Sequence, residues 1–328
     1  MPLPFILAGV ALAVAGYGVK KGIDALDADC EADEFIKKAE SLKEEAKRKV
    51  DNAQSSRNQA LVRLGKKKLH VLSHTVSNFL VHFHRLERSR ITIEGINMQD
   101  IQGQVSDARV LLNQLNTNGI DGDSVLGVIA GCGGLGTSSF TAGAIMGGGL
   151  AASGLAGMAV VGGLLAAPAL AILGAISADE MEEKLENAKA YCSQAEAAVK
   201  KADVVIDNLR SVEKMAELFT RQITKFDVLF FSLSQDAIAT MKKHHYDTSF
   251  YNQKEKDQLC VTVSTLMTLS AFLKVPIMDE HQKLNKKAQN ALNLMRKQMD
   301  SLENGNYSLR GIRFRQVQLE DLRDDKTS

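Results

Sequence analysis

The sequence predicts an all-α protein in which long, heptad-patterned helices form an elongated bundle or coiled coil and carry a glycine-rich apolar helical hairpin. Strong helix formers such as Ala, Leu, Lys and Glu are abundant, whereas only 4 of the 328 residues are proline. Apolar residues recur every three or four positions over long stretches of the chain. Between those stretches, residues 124–178 contain no charged side chain.

This charge-free segment is long enough to cross a bilayer twice. About 20 apolar residues cross the roughly 30 Å hydrocarbon layer as a helix. A turn at residues 146–154 leaves two arms of that length, 124–145 and 155–177. Pro168 is expected to kink the second arm. Small residues at four-residue spacing give each arm a face that lets helices approach closely in lipid: Gly127, Gly131, Gly143, Gly147, Gly163, Ala167, Ala171 and Ala175.

The segment has an alternative interpretation as a hairpin buried in the core of a large soluble helical protein. Its flanks are acidic and lack the positive anchors of a routinely inserted span: Asp121, Asp123, Asp179, Glu180, Glu182 and Glu183. We therefore expect conditional insertion, with a soluble form before it, and we expect protonation of these carboxylates to help. A liposome-binding series from about pH 7 to about pH 5 tests that expectation.

Residues 1–22 are predicted to form an apolar N-terminal anchor or interfacial helix. The first 19 residues are uncharged, and Lys20 and Lys21 close them. These lysines favour the cytoplasmic side, which predicts a membrane-associated protein whose main helical domain is cytoplasmic. Cleavage after one of the Ala-x-Ala sequences, and packing of this segment into the bundle, remain alternatives.

The periodic stretches define two helical regions on either side of the hairpin. Residues 23–123 form a coiled-coil arm, with a connector at 91–98 and a short helix at 100–116. Residues 179–304 form a helical bundle that starts with one continuous helix from Asp179 to His245. Its predicted coiled-coil core is Leu185, Val199, Ile206, Leu209, Phe219, Ile223, Phe226 and Phe230.

The remaining segments complete this organisation. Residues 255–274 are apolar over most of their surface and predict an interior helix, which Pro276 ends. An amphipathic helix is predicted over 279–302. Residues 305–328 are predicted to be a polar tail or a short docking strand.

Basic residues concentrate before the connector. Such a run can attract anionic lipid headgroups, although it is more often a solvated helix face: Lys66, Lys67, Lys68, Arg85, Arg88 and Arg90. His70 and His74 have the spacing of two metal ligands on one helix face, but no third ligand is indicated, so an ordinary amphipathic face is the prediction. At the other end of the chain, His244 and His245 are expected to favour the negative end of a helix dipole.

The sequence predicts no enzyme, no cofactor and no metal. Gly131, Gly133 and Gly136 match GxGxxG, but no acidic residue follows before Asp179, so the ribose contact of a dinucleotide site is missing. No phosphate-binding loop and no catalytic Ser/His/Asp, Cys/His or paired-carboxylate arrangement is recognisable. The 40 basic and 39 acidic residues nearly cancel, so no nucleic-acid partner is expected.

Long helices around a glycine-rich apolar hairpin, over roughly residues 31–245, resemble helical pore-forming toxins and the apolipoprotein L type of channel-forming proteins. This resemblance implies a helical protein that inserts its hairpin into a bilayer to permeabilise or remodel it, as a homo-oligomer or with a helical protein partner. A non-enzymatic, membrane-anchored scaffold or adaptor of a multiprotein complex is the alternative.

Overall fold

The computed structural model describes residues 21–86, 178–278, 283–305 and 308–323. Helices hold 91% of the described residues, and no strand occurs among them, which confirms the all-α prediction. Along these residues the helices are α1 (Lys21–His70), α2 (Ser77–Phe83), α3 (Ala178–Lys243), α4 (Gln253–Leu273), α5 (Lys286–Glu303) and α6 (Leu309–Arg323). A π-helical turn covers Val71–Val76, and 3₁₀ turns cover His84–Leu86 and Thr248–Phe250.

The chain divides into two compact units, and α1 and α3 contribute to both. Among the described residues, unit one contains 21–48 and 178–203. In its interior the small side chains of Ala39, Cys192 and Ala195 pack together with the larger Tyr191. Ion pairs flank this contact, with 3.2 Å between Lys184 Nζ and Asp33 Oδ1 and 2.8 Å between Lys38 Nζ and Glu196 Oε1.

Unit two contains, among the described residues, 49–86 and those from 204 onwards. Its centre is α4, in which every residue from Val261 to Leu273 is buried, as its apolar sequence predicts. Helix α6 packs against α4, and α5 packs against α6. Aromatic side chains join the elements: the ring centroids of Phe219 and Phe272 lie 4.6 Å apart, and those of Phe79 and Phe230 lie 5.8 Å apart.

In unit two the α1–α2 segment and α3 run parallel, because their contacts advance together along both. Lys67 pairs with Asp227, Phe79 with Phe230, and His82 with Tyr246. Parallel neighbours cannot be joined by a tight turn and need a long crossover connection.

The helix predictions for 179–245 and 255–274 are confirmed by α3 and α4. Two other boundaries need correction. Helix α5 begins at Lys286, later than predicted, because the Asn285 side chain accepts a hydrogen bond from the Lys287 amide and caps it. The predicted polar tail is wrong for residues 309–323, which form α6 and bury Ile312 and Leu319 in the core.

Candidate functional site

Most of the predicted membrane segment lies outside the described residues. This holds for the whole small-residue face and for the kink residue: Gly127, Gly131, Gly143, Gly147, Gly163, Ala167, Ala171, Ala175 and Pro168. It also holds for residues 1–20, the connector at 91–98 and the helix predicted over 100–116. None of the described helices is both long and apolar enough to cross a membrane.

The predicted coiled-coil core of α3 points inward over most of its length. Leu185 and Val199 are half-buried. The other six predicted core positions are at most 3% exposed: Ile206, Leu209, Phe219, Ile223, Phe226 and Phe230. Their repeated steps of three and four residues therefore mark the face of α3 that packs.

The predicted lipid-facing basic surface needs correction. Lys68 is only 1% exposed, and Lys67 Nζ lies 2.8 Å from Asp227 Oδ2 in a largely buried ion pair. Lys66 and Arg85 are exposed. Arg88 and Arg90 lie outside the described residues.

His70 and His74 are both exposed, and their rings stack 4.5 Å apart at the start of the π-helical turn. His74 Nδ1 lies 2.8 Å from Ser73 Oγ and 3.2 Å from the His70 carbonyl oxygen, so that nitrogen has local partners. Within residues 21–86, 178–278, 283–305 and 308–323, no group of three His, Cys, Asp or Glu side chains is placed to hold a metal ion.

A cluster of polar contacts joins the corner between α3 and α4, residues 243–255, to the end of α2. Two successive non-glycine residues there adopt left-handed backbone angles, His245 with φ 52° and Tyr246 with φ 64°. Such conformations cost about 1–3 kcal/mol each and persist where surrounding contacts fix them. The Tyr246 amide donates to the Met241 carbonyl at 2.8 Å, and the Asp247 amide donates to the His244 carbonyl at 2.9 Å.

The Tyr246 side chain joins this corner to α2 and the 3₁₀ turn after it. Its hydroxyl lies 2.8 Å from His82 Nδ1 and accepts a hydrogen bond from the Arg85 guanidinium at 2.9 Å. Arg85 also lies over the Tyr246 ring, 4.1 Å from the centroid, in a cation–π contact. The rings of His82 and Tyr246 are nearly parallel, at 3°. One phenol thus holds two side chains that lie more than 160 positions away in sequence.

A second set of contacts closes the corner around Glu255. This carboxylate accepts hydrogen bonds from Lys243 Nζ at 2.9 Å and from the Asn252 amide at 3.0 Å, and it lies 3.0 Å from His244 Nε2. The Asn252 side chain in turn accepts from the Glu255 amide, which completes a capping box at the start of α4. Glu255 therefore starts α4 and fastens the end of α3 at the same time.

The two halves of the corner have opposite electrostatics. Hydrogen bonds from Lys243, His244 and the Asn252 backbone hold the pKa of Glu255 at about 2. Burial, with the nearby carboxylates of Glu255 and Asp247, raises the pKa of Tyr251 to about 12. Burial and the positive charges of Lys242 and Arg85 lower the pKa of His82. His244 thus faces a carboxylate, whereas His82 faces cations.

The sequence pattern did not reveal this corner. It placed His244 and His245 at a helix end but gave no reason to bring His82 and Arg85 to the neighbouring Tyr246, because His82 and Arg85 belong to a distant amphipathic stretch. The histidines, cations and carboxylate of the corner hold its side chains in place. Among these residues we recognise no nucleophile activated by a base. No protein family, curated protein or solved structure matches this chain.

Proposed function

We propose that this protein is membrane-active and inserts the hairpin of residues 124–178 into a bilayer, which it permeabilises or remodels as an oligomer. One observation carries the proposal, a segment of fifty-five residues without a charge, with small residues at four-residue spacing. Such spacing favours helix association in lipid, where the ordinary hydrophobic drive between helices is absent. The protein acts without catalysis, and its helical domain stays on the cytoplasmic side of the membrane.

The described helices support this proposal because they pack extensively on one another. Phe219 stacks on Phe272, and Phe79 meets Phe230, so α2, α3 and α4 share aromatic contacts. A protein that inserts one segment into a membrane needs a folded domain that stays intact during insertion. The aromatic contacts between α2, α3 and α4 stabilise such a domain.

We also propose that α1 and α3 pair in coiled-coil fashion and that the chain between them forms the helical hairpin. The buried positions of α3 support this pairing, because they advance by alternating steps of four and three from Ala188 to Leu209 and resume after Val212. An extra step of three at Val212 locally overwinds a coiled coil or marks a change of packing partner. Beyond that step α3 shares one core cluster with α4 as well as with α1, so partners are added there.

Dye release from liposomes tests the proposal. Gly163→Lys and Ala167→Lys place a charge in the second arm and are expected to abolish release, because a charge at the bilayer centre is costly. Ala197→Lys, at an exposed position of α3, is the matched control and should release dye like the unaltered protein. Absence of release by the unaltered protein at every pH between about 7 and 5 would overturn the proposal.

A second candidate, a membrane-anchored scaffold, has support in the exposed apolar residues of α3. Val204 is 70% exposed, Val228 is 67% exposed and Phe231 is 50% exposed. A helical protein partner would cover such side chains. Tight liposome binding without leakage, together with loss of a partner on Val228→Ser and Phe231→Ser, would favour this function over permeabilisation.

A further inference from the structure

We propose that Tyr246, His82 and Arg85 form a proton-sensitive latch that fastens the end of α2 to the α3–α4 corner and opens when His82 is protonated. All three residues lie within unit two, and their mutual contacts bridge elements that are distant in sequence. The latch is independent of the membrane function proposed above, because it rests on described residues alone.

The hydrogen bonds of the latch suit neutral His82. Arg85 can only donate, so its hydrogen bond occupies a lone pair of the Tyr246 oxygen and leaves the hydroxyl proton for another acceptor. Neutral His82, with its proton on Nε2, presents Nδ1 as that acceptor at 2.8 Å. Protonation of His82 turns Nδ1 into a donor. The Tyr246 hydroxyl then loses the acceptor of its own proton, and its oxygen faces donors from both His82 and Arg85.

The charges around His82 also favour its neutral form. Lys242 on α3, Arg85 on the 3₁₀ turn and the Tyr246 phenol are the titratable or charged groups that act on it. An imidazolium there would have two cations nearby and no carboxylate among these groups. Burial and the two cations accordingly hold the pKa of His82 below its usual value of 6.5.

The sign of the pH dependence follows. The pKa of His82 is lower in the latched form than in an open form, where it returns towards 6.5. The contribution of His82 to the latch is therefore complete above about pH 6.5 and is lost as the pH falls through the lowered value. Left-handed backbone angles at His245 and Tyr246 favour opening, because the strain relaxes once the phenol is released.

Hydrogen exchange on the full chain, followed by mass spectrometry, tests the latch. Labelling at pH 7.5, 6.5 and 5.5, with times scaled to the intrinsic exchange rate, compares peptides covering residues 77–86 and 244–252. Both peptides should lose protection several-fold between the two extremes, while a peptide within 261–273 of the buried helix α4 stays protected. Equal protection of both peptides at all three values would overturn the proposal.

Variants separate His82 from His74 and His244. His82→Gln keeps a neutral acceptor and should remove the pH response while retaining protection. Tyr246→Phe keeps the ring and should lose protection already at pH 7.5. His74→Gln, whose contacts are local, and His244→Gln, which faces Glu255, should each keep the response. Loss of the response in His244→Gln but not in His82→Gln would contradict the assignment.

A direct titration guards against variants that fold poorly. Carbon-detected or proton–carbon NMR of the histidine Cε1–Hε1 groups in the unaltered chain resolves each imidazole, and His82→Gln identifies the resonance of His82 by its disappearance. We expect this resonance to titrate below pH 6.5. Titration at or above 6.5 would overturn the latch irrespective of how the variants behave.

Discussion

Units one and two use the same two helices, α1 and α3, in different ways. In unit one the buried residues at their contact are mostly small, such as Ala39 and Ala195, with Tyr191 beside them, and the Lys38–Glu196 ion pair nearby is exposed. In unit two the buried residues are large, such as Phe219 and Phe230, and further helices surround them. The same helices therefore form a thin contact in one unit and part of a thick bundle in the other.

From this difference we expect the size of the buried side chains, more than their spacing, to decide how strongly a helix pair is held. The three-and-four spacing is the same in both halves of α3. Burial of a phenylalanine removes much more apolar area from water than burial of an alanine. We therefore expect unit two to carry most of the stability and unit one to open more readily.

The largest expected effect is in the phenylalanine core of unit two. Phe230 is fully buried, and Phe230→Ala should lower the free energy of unfolding by about 3–5 kcal/mol, because it removes the ring and leaves a cavity. Its neighbour Phe231 is 50% exposed, so Phe231→Ala serves as the control and should change little. Urea unfolding followed by circular dichroism measures both. Equal effects of the two variants would break the comparison.

Two lysine–carboxylate pairs with the same 2.8 Å separation differ in burial between the units. Lys67→Met leaves the Asp227 carboxylate enclosed without its cation and should destabilise unit two by about 2–3 kcal/mol. The double variant Lys67→Met/Asp227→Leu should recover most of this loss. Lys38→Met, in the exposed pair of unit one, should have no measurable effect. Similar losses from Lys67→Met and Lys38→Met would argue against the contrast.

Overpacking tests how thin the contact of unit one is. Ala39 is fully buried against α3, and Ala39→Leu should destabilise unit one by about 1–2 kcal/mol, since the helices must separate to fit the larger side chain. Ala190→Leu, at an exposed position of α3, is the control. Region-resolved hydrogen exchange should show the effect of Ala39→Leu in residues 31–48 and 183–203. An unchanged exchange pattern would show that the contact accommodates leucine at position 39 and would contradict the prediction.

Acid titration gives the smallest expected effect. The pKa of Glu255 in unit two is about 2, so its contribution to stability is complete above about pH 4.5 and is lost as the pH falls towards 2. Glu255→Gln should flatten this part of the stability profile. Glu196 in unit one also has a lowered pKa through Lys38, but it is exposed, and Glu196→Gln should leave the profile nearly unchanged. Chemical unfolding at a series of acid pH values measures the difference.

Long local patterns made much of the fold predictable. The periodicity of α3 and the apolar surface of α4 gave their extent to within a few residues, because each signal spans many turns. The corner was not predictable in the same way. Tyr246 meets His82 across 164 positions, and no local pattern encodes such a contact.

Two errors have identifiable physical causes. Lys68 lies four residues after the buried Leu64 and therefore falls on the core face of α1, although its lysine neighbours suggested a basic surface. In α6 a brief alternation of apolar and basic residues around Phe314 suggested a short strand, whereas Phe314 is exposed and the residues that pack are Ile312 and Leu319, seven positions apart. In both cases the spacing of the buried residues was informative and the local composition was misleading.

The parallel course of α1–α2 and α3 also constrains the order in which the chain acquires structure. The contacts that pair them join residues about 160 positions apart, such as Lys67 and Asp227. While the ribosome synthesises the chain, the first helix has to wait for the distal half of α3, so its apolar stripe stays without this partner throughout translation of the intervening residues. Such non-local pairing slows folding and exposes apolar surface to chaperones and to aggregation. Assembly of this pair is therefore a late step in biogenesis.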